Sequence, residues 1–129
     1  MTLPKKIAYR QQEIMHEFLT VLDRHLEDIL SGRAEDMYHI KDVAKEMHIH
    51  PTHLSNTVKE VTGKAPCFFF EEKLMNISKK MLADPSVSVA SIARRLTFDT
   101  SNFTKFFKRF EGVTPSVYRQ MILESTVAV

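Results

Sequence analysis

The chain reads as all-α: two helix-turn-helix subdomains joined by a linker helix, with an extra helix at the N-terminus. Three observations predict this. The first is a duplication. Shifted by 49 residues, IKDVAKEMHIHPTHLSNTVKEVTGKAP falls without a gap on VASIARRLTFDTSNFTKFFKRFEGVTP. Ala44 meets Ala93, Lys59 meets Lys108, Gly63 meets Gly112 and Pro66 meets Pro115. Apolar Ile40, Val43, Met47, Ile49, Leu54, Val58 and Val61 meet Val89, Ile92, Leu96, Phe98, Phe103, Phe107 and Phe110, so one fold unit is used twice and both copies are expected to bury the same faces. The second observation is helical periodicity within each copy, broken once. Val89, Ile92, Ala93 and Leu96 keep the period, Thr97 and Asp99 interrupt it, and Phe103, Phe106, Phe107 and Phe110 resume it. The third is composition: three glycines, five prolines and no tryptophan in 129 residues suit helices with short connections, and 43% hydrophobic content suffices for a packed core.

From the N-terminus, residues 1–37 form a helical extension. Ile7, Ile14, Met15, Phe18, Leu19, Leu22, Leu26, Ile29 and Leu30 keep to one stripe, and the helix is expected to end near Ser31-Gly32. That stripe is expected to be core, while its first two turns could also pack on a second chain. Residues 38–66 form the first helix-turn-helix. Ala44 is small enough to let two helix axes approach at a sharp crossing. Gly63 lies just past the last periodic residue, where a helix end favours positive φ. Residues 67–86 carry the linker helix, read from Cys67 to Leu82 and stopped by Asp84-Pro85. Sixteen helical residues span about 24 Å, of the order needed to hold two second helices one DNA turn, about 34 Å, apart. Residues 87–120 repeat the unit with Ala93 and Gly112 in the same roles, and 121–129 form a C-terminal tail.

Charge is distributed unevenly. The net charge is +2, yet residues 89–119 carry six basic against two acidic side chains, and residues 1–39 carry five against seven. Arg94, Arg95, Lys105, Lys108, Arg109 and Arg119 thus give the second copy a footprint suited to a polyanion. No apolar run reaches the ~20 residues of a membrane span and the N-terminus lacks a secretory h-region, so no membrane partner and a cytoplasmic location are expected. The one cysteine, Cys67, has no partner for an internal disulfide and is expected to be a small buried residue at a helix start. There is no glycine-rich phosphate loop and no nucleophile-base arrangement, so no enzyme, catalytic residue or cofactor is expected. His48, His50 and His53 lie close in sequence, as a transition-metal site would require, but two belong to the turn and no Cys or carboxylate accompanies them; no metal is expected.

The second helix of a helix-turn-helix can enter the major groove, its outward face reaching base edges and its marginal cations meeting phosphates. In the first copy this helix runs from about Pro51 to Thr62. With Leu54, Val58 and Val61 turned inward, Thr52, His53, Ser55 and Asn56 face outward for base reading, with Lys59 at the margin. In the second, Phe103, Phe107 and Phe110 turn in. Ser101, Asn102, Thr104 and Lys105 face outward, with Lys108 and Arg109 placed for phosphates. The rival reading is a helical interaction module whose basic second unit docks on an acidic protein.

The region from Tyr38 to Gln120 resembles the DNA-binding domain of AraC/XylS-family transcription regulators. The resemblance rests on Asp42-Val43-Ala44, Leu54 with Lys59 and Thr62-Gly63, Ser91-Ile92-Ala93, and the run from Phe107 through Gly112-Val113-Thr114-Pro115 to Arg119. It implies a seven-helix domain of two units that binds double-stranded promoter DNA and recruits or blocks RNA polymerase, with one monomer sufficient for two grooves. By position, it puts base reading on Thr52, Ser55, Asn56, Ser101 and Lys105. Three departures stand out. The turn after Thr97-Phe98 is one residue shorter than the family's, leaving the phase of the second recognition helix open. Leu74 replaces an arginine, and His48 and Thr97 stand where the turns would have glycine, which implies strain if positive φ persists. Most family members carry a separate sensor domain, for which 129 residues leave no room. The chain is then either a small standalone regulator, which the start at Met1 favours, or a fragment.

Overall fold

A computed structural model describes residues 5–127, with side chains from Tyr9 to Ser125. Among these residues there are seven helices and no strand: α1 (Lys5–Ser31), α2 (Ile40–Glu46), α3 (Pro51–Thr62), α4 (Pro66–Leu82), α5 (Val89–Arg95), α6 (Thr100–Glu111) and α7 (Pro115–Val127). The chain divides into two compact units between Glu72 and Lys73, inside α4. The duplication is kept residue for residue. α2 and α5, and then α3 and α6, begin and end at positions 49 apart. None of these helices is long and apolar enough to cross a membrane.

Unit 1 is built on the apolar stripe of α1. Ile14, Met15, Phe18, Val21 and Leu22 are buried against Val43, Ala44 and Met47 of the first helix-turn-helix and Leu54 and Val58 of α3. Each fully buried aliphatic or aromatic side chain contributes about 1.5–3 kcal/mol, so the stripe is a main source of this unit's stability. Phe69 of α4 meets Phe18 edge-on at 6.4 Å between ring centroids. Ile7, expected in the stripe, lies outside the described side chains. The link from α1 to α2 is held by a residue the sequence pattern did not single out. His25, 4% exposed, accepts the Tyr38 backbone N–H at Nε2 (2.9 Å), and its ring stacks on Tyr38 at 3.8 Å. Burial pushes this imidazole below its ordinary pKa of 6.5, against the opposing pull of Asp28, Glu46 and Asp42.

Unit 2 packs Ile92, Ala93 and Leu96 against Phe103, Phe106 and Phe107. Phe98, in the turn, stacks on Phe106 at 5.4 Å. Leu74, standing where the family has arginine, is 3% exposed, an environment that an apolar side chain suits. Arg119 of α7 donates to the backbone carbonyls of Leu82 (2.9 Å), Asp84 (3.2 Å) and Val87. It therefore ties α7 to the end of α4 and the following loop, and is a structural residue where the sequence reading had placed it in the cationic footprint. Lys79 makes a 2.8 Å ion pair with Glu111, and that hydrogen bond raises its pKa.

Three expectations are corrected here. Val61 and Phe110 do not turn inward. They are 37% and 43% exposed, on the last turns of α3 and α6. Cys67 is exposed, since the first turn of α4 directs Phe69 and Phe70 toward the core of unit 1 and leaves Cys67 and Phe68 outside. Residues 121–127, expected as tail, continue α7.

Both turns carry a non-glycine residue in the left-handed region, His48 at φ 59° and Thr97 at φ 68°. This is costly for the β-branched threonine. Replacing Thr97 by glycine should raise stability by about 0.5–1 kcal/mol in denaturant unfolding, the relief of strain exceeding the added entropy of the unfolded chain. A second measurement concerns pH. Because folding depresses the pKa of His25, stability is full above pH 6.5 and is lost as pH falls through the folded-state value. The unfolding midpoint should drop between about pH 7.5 and about pH 5.5, and His25→Gln, which keeps an acceptor for Tyr38, should flatten that drop.

Candidate nucleic-acid interface

Each second helix is fixed at both ends by its own sequence. α3 starts with Pro51 at a position where a missing N–H costs nothing, and His50 caps it, Nδ1 accepting the Thr52 N–H at 3.1 Å. α6 is capped by Asp99, which accepts the Asn102 N–H at 2.8 Å. At the other end Gly63 (φ 77°) and Gly112 (φ 88°) close the helices in the left-handed conformation, their N–H groups donating to Lys59 and Lys108 carbonyls at 2.8 Å. Since His50 and Asp99 are themselves 49 residues apart, the shortened second turn leaves α6 in the same phase as α3.

The residues read as outward come out in equivalent pairs. Thr52 and Ser101, His53 and Asn102, Asn56 and Lys105, and Lys59 and Lys108 are all exposed. Ser55 and Thr104 are half-buried, at the same repeat position, and Thr104 donates its hydroxyl to the Thr100 carbonyl at 2.9 Å. In α3, Thr52, Ser55, Asn56 and Lys59 fall at i, i+3, i+4 and i+7, one face of the helix. The same spacing gathers Ser101, Thr104, Lys105 and Lys108 on α6.

Besides Thr104, Asn102 and Arg109 have local partners. The Asn102 amide donates one N–H to Asp99 at 2.7 Å, which leaves its carbonyl oxygen and its second N–H to meet a ligand. Arg109 stands over the Phe110 ring at 4.8 Å. Its equivalent in unit 1 is Glu60, which accepts from Gln11 of α1 at 2.7 Å. The exposed face is therefore neutral to weakly basic on α3 and distinctly basic on α6. Thr100, exposed on the first turn of α6, adds a hydroxyl that sequence reasoning missed, since its repeat equivalent is Pro51. Among the described residues no three His, Cys, Asp or Glu side chains come together as a metal site would need. His50 instead spends Nδ1 on its cap.

A family model described as "Helix-turn-helix domain" matches residues 43–121, more than half of the chain and both units. The chain belongs to the AraC/XylS family of helix-turn-helix regulators. Among curated relatives of this AraC-type chain, the regulatory protein PocR of Salmonella typhimurium is 33% identical over 113 residues, 87% of this chain and 35% of that protein. The chain thus spans about a third of that relative's length. Among solved structures, a DNA-binding transcriptional dual regulator from Escherichia coli K-12 superposes with a TM-score of 0.70 at 16% identity, over 86% of this chain and 93% of that one. The DNA-binding domain of AdpA, a global transcriptional factor crystallised with a target DNA, gives 0.67 at 19% identity over 81% and 90%. At such identities these likenesses are of fold.

The Asp99 cap orders both the first turn of α6 and the Asn102 amide. Asp99→Ala should cost about 1 kcal/mol of stability in unit 2. Asp99→Asn, which retains the acceptor, should recover most of it.

Proposed function

We propose that this chain binds double-stranded promoter DNA sequence-specifically, with α3 and α6 entering successive major grooves, and so regulates transcription. The observation that supports this best is the exact-register pairing of the two exposed faces. One chain carries two copies of the same groove-sized probe, each with small polar groups on the first turn and an amide or ammonium, Asn56 or Lys105, one turn further on. Membership of a DNA-binding regulator family supports it further. Thr52, His53, Ser55 and Asn56 read bases through the first unit, and Ser101, Asn102, Thr104 and Lys105 through the second. Lys59, Lys108 and Arg109 meet phosphates. Hydroxyls donate or accept at any base edge, an amide matches adenine, and lysine matches the guanine acceptors.

One chain suffices for both grooves, RNA polymerase is the expected protein partner at the promoter, and the setting is the cytoplasm. No catalytic step is assigned.

The two classes of contact separate in a binding assay. Asn56→Ala should cost ~1–3 kcal/mol on the preferred site and little on others, relaxing specificity at one base position. Lys108→Ala should weaken binding to all sequences alike and lower the slope of log affinity against log salt by about 0.9. Anisotropy titrations over a salt series read both. Affinity for duplex DNA that is absent or insensitive to salt would favour the rival reading, in which the basic second unit docks on an acidic protein.

A further inference from the structure

The first turns of the two recognition helices are held differently. In α6 the two oxygens of the Asp99 carboxylate have separate partners. Oδ1 caps the helix by accepting the Asn102 backbone N–H at 2.8 Å, and Oδ2 accepts the Asn102 side-chain Nδ2 at 2.7 Å. In α3 the cap is His50, whose Nδ1 is taken by the Thr52 N–H at 3.1 Å, and the residue equivalent to Asn102 is His53. The second tie thus belongs to unit 2.

That tie fixes the polarity of an exposed reading group. A side-chain amide can turn over about its last bond, exchanging its acceptor oxygen for its two N–H donors. A carboxylate can only accept, so Asp99 can face only the nitrogen of the Asn102 amide. Both residues are exposed, and Asn102 stands one turn before the exposed Lys105. The amide therefore shows a ligand its carbonyl oxygen and one N–H. Adenine answers that pair in the major groove with its N6 amine and N7. Guanine carries O6 in place of the amine and sets oxygen against oxygen. An amide turned the other way, with both N–H groups outward, would suit guanine O6 and N7 instead.

We propose that Asp99 is a positioning residue for base reading, holding the Asn102 amide so that α6 selects adenine over guanine at the base that Asn102 meets. This rests on the DNA-binding reading given above. It also makes Asp99→Asn informative, because the substitution is nearly isosteric. The asparagine oxygen still caps the helix, but an NH2 group stands where Oδ2 was, and Asn102 must turn its oxygen toward it. Asp99→Ser keeps the cap and supplies no second group, which leaves the amide free to turn.

The 129-residue chain and its Asn102→Ala, Asp99→Asn and Asp99→Ser variants are each used to select bound sites from random duplexes, and thermal unfolding confirms that the cap variants fold. The position whose preference Asn102→Ala abolishes is the one that Asn102 reads. Anisotropy titrations then compare duplexes with adenine or guanine there. The parent chain should favour adenine by about tenfold, Asp99→Ser should bring the two within about threefold, and Asp99→Asn should reverse the preference. Loss of the Asp99 charge strengthens binding to all sequences alike, so the ratio isolates the amide. An adenine preference that survives in Asp99→Asn would overturn the proposal. So would selected sites with no position dependent on Asn102, or one that favours guanine, and these outcomes leave DNA binding itself standing. Failure of the parent chain to enrich any sequence would instead remove the DNA-binding reading, and this inference with it.

Discussion

Both units depend on one constraint, the short reversal between their two helices. At each reversal the chain enters the left-handed region at His48 or Thr97, and the next N–H, of Ile49 or Phe98, donates back to the carbonyl of Ala44 or Ala93 at 3.0 and 2.8 Å. These alanines are fully buried. A larger side chain there would push the helices apart at the point where the returning backbone must reach the carbonyl. The small residue and the strained one therefore act together. One permits the close crossing and the other turns the chain sharply enough to exploit it.

From that reversal the exposure of the second helices follows. With the crossing fixed, Leu54 and Val58, or Phe103 and Phe107, are committed to the core. Helical periodicity then leaves the Thr52–Lys59 and Ser101–Lys108 faces outside. Caps at His50 and Asp99 set where each helix begins, and hence which polar residue stands on its first turn. The two units meet this plan with different chemistry. The first leans on α1, whose Gln11 engages Glu60, and the second is closed by Arg119 and the Lys79–Glu111 pair.

Much of this was legible in the sequence because a gapless repeat constrains each copy by the other. The element types, the recognition helices and their glycine ends all follow from it. What was not legible involves groups whose role is set by distant neighbours. Val61 and Phe110 look like core by period, but whether a helix's last turn is covered depends on what packs over it, and period carries no information about that. Arg119 reads as one more basic residue until the carbonyls of Leu82, Asp84 and Val87 converge on it. His25 lies within an apolar stripe, where nothing local announces that it will accept a backbone N–H thirteen residues away. Polar residues that serve the fold and those that serve a ligand look alike until their partners are known.

The central claim is that the two exposed faces are twin probes for one double helix. Selection of bound sites from random duplexes tests it most directly. The account requires an asymmetric consensus with two informative boxes centred about one helical turn apart, the asymmetry reflecting Asn56 in one unit against Lys105 in the other. Failure to enrich any sequence, or recovery of a single box indifferent to its flank, would contradict it.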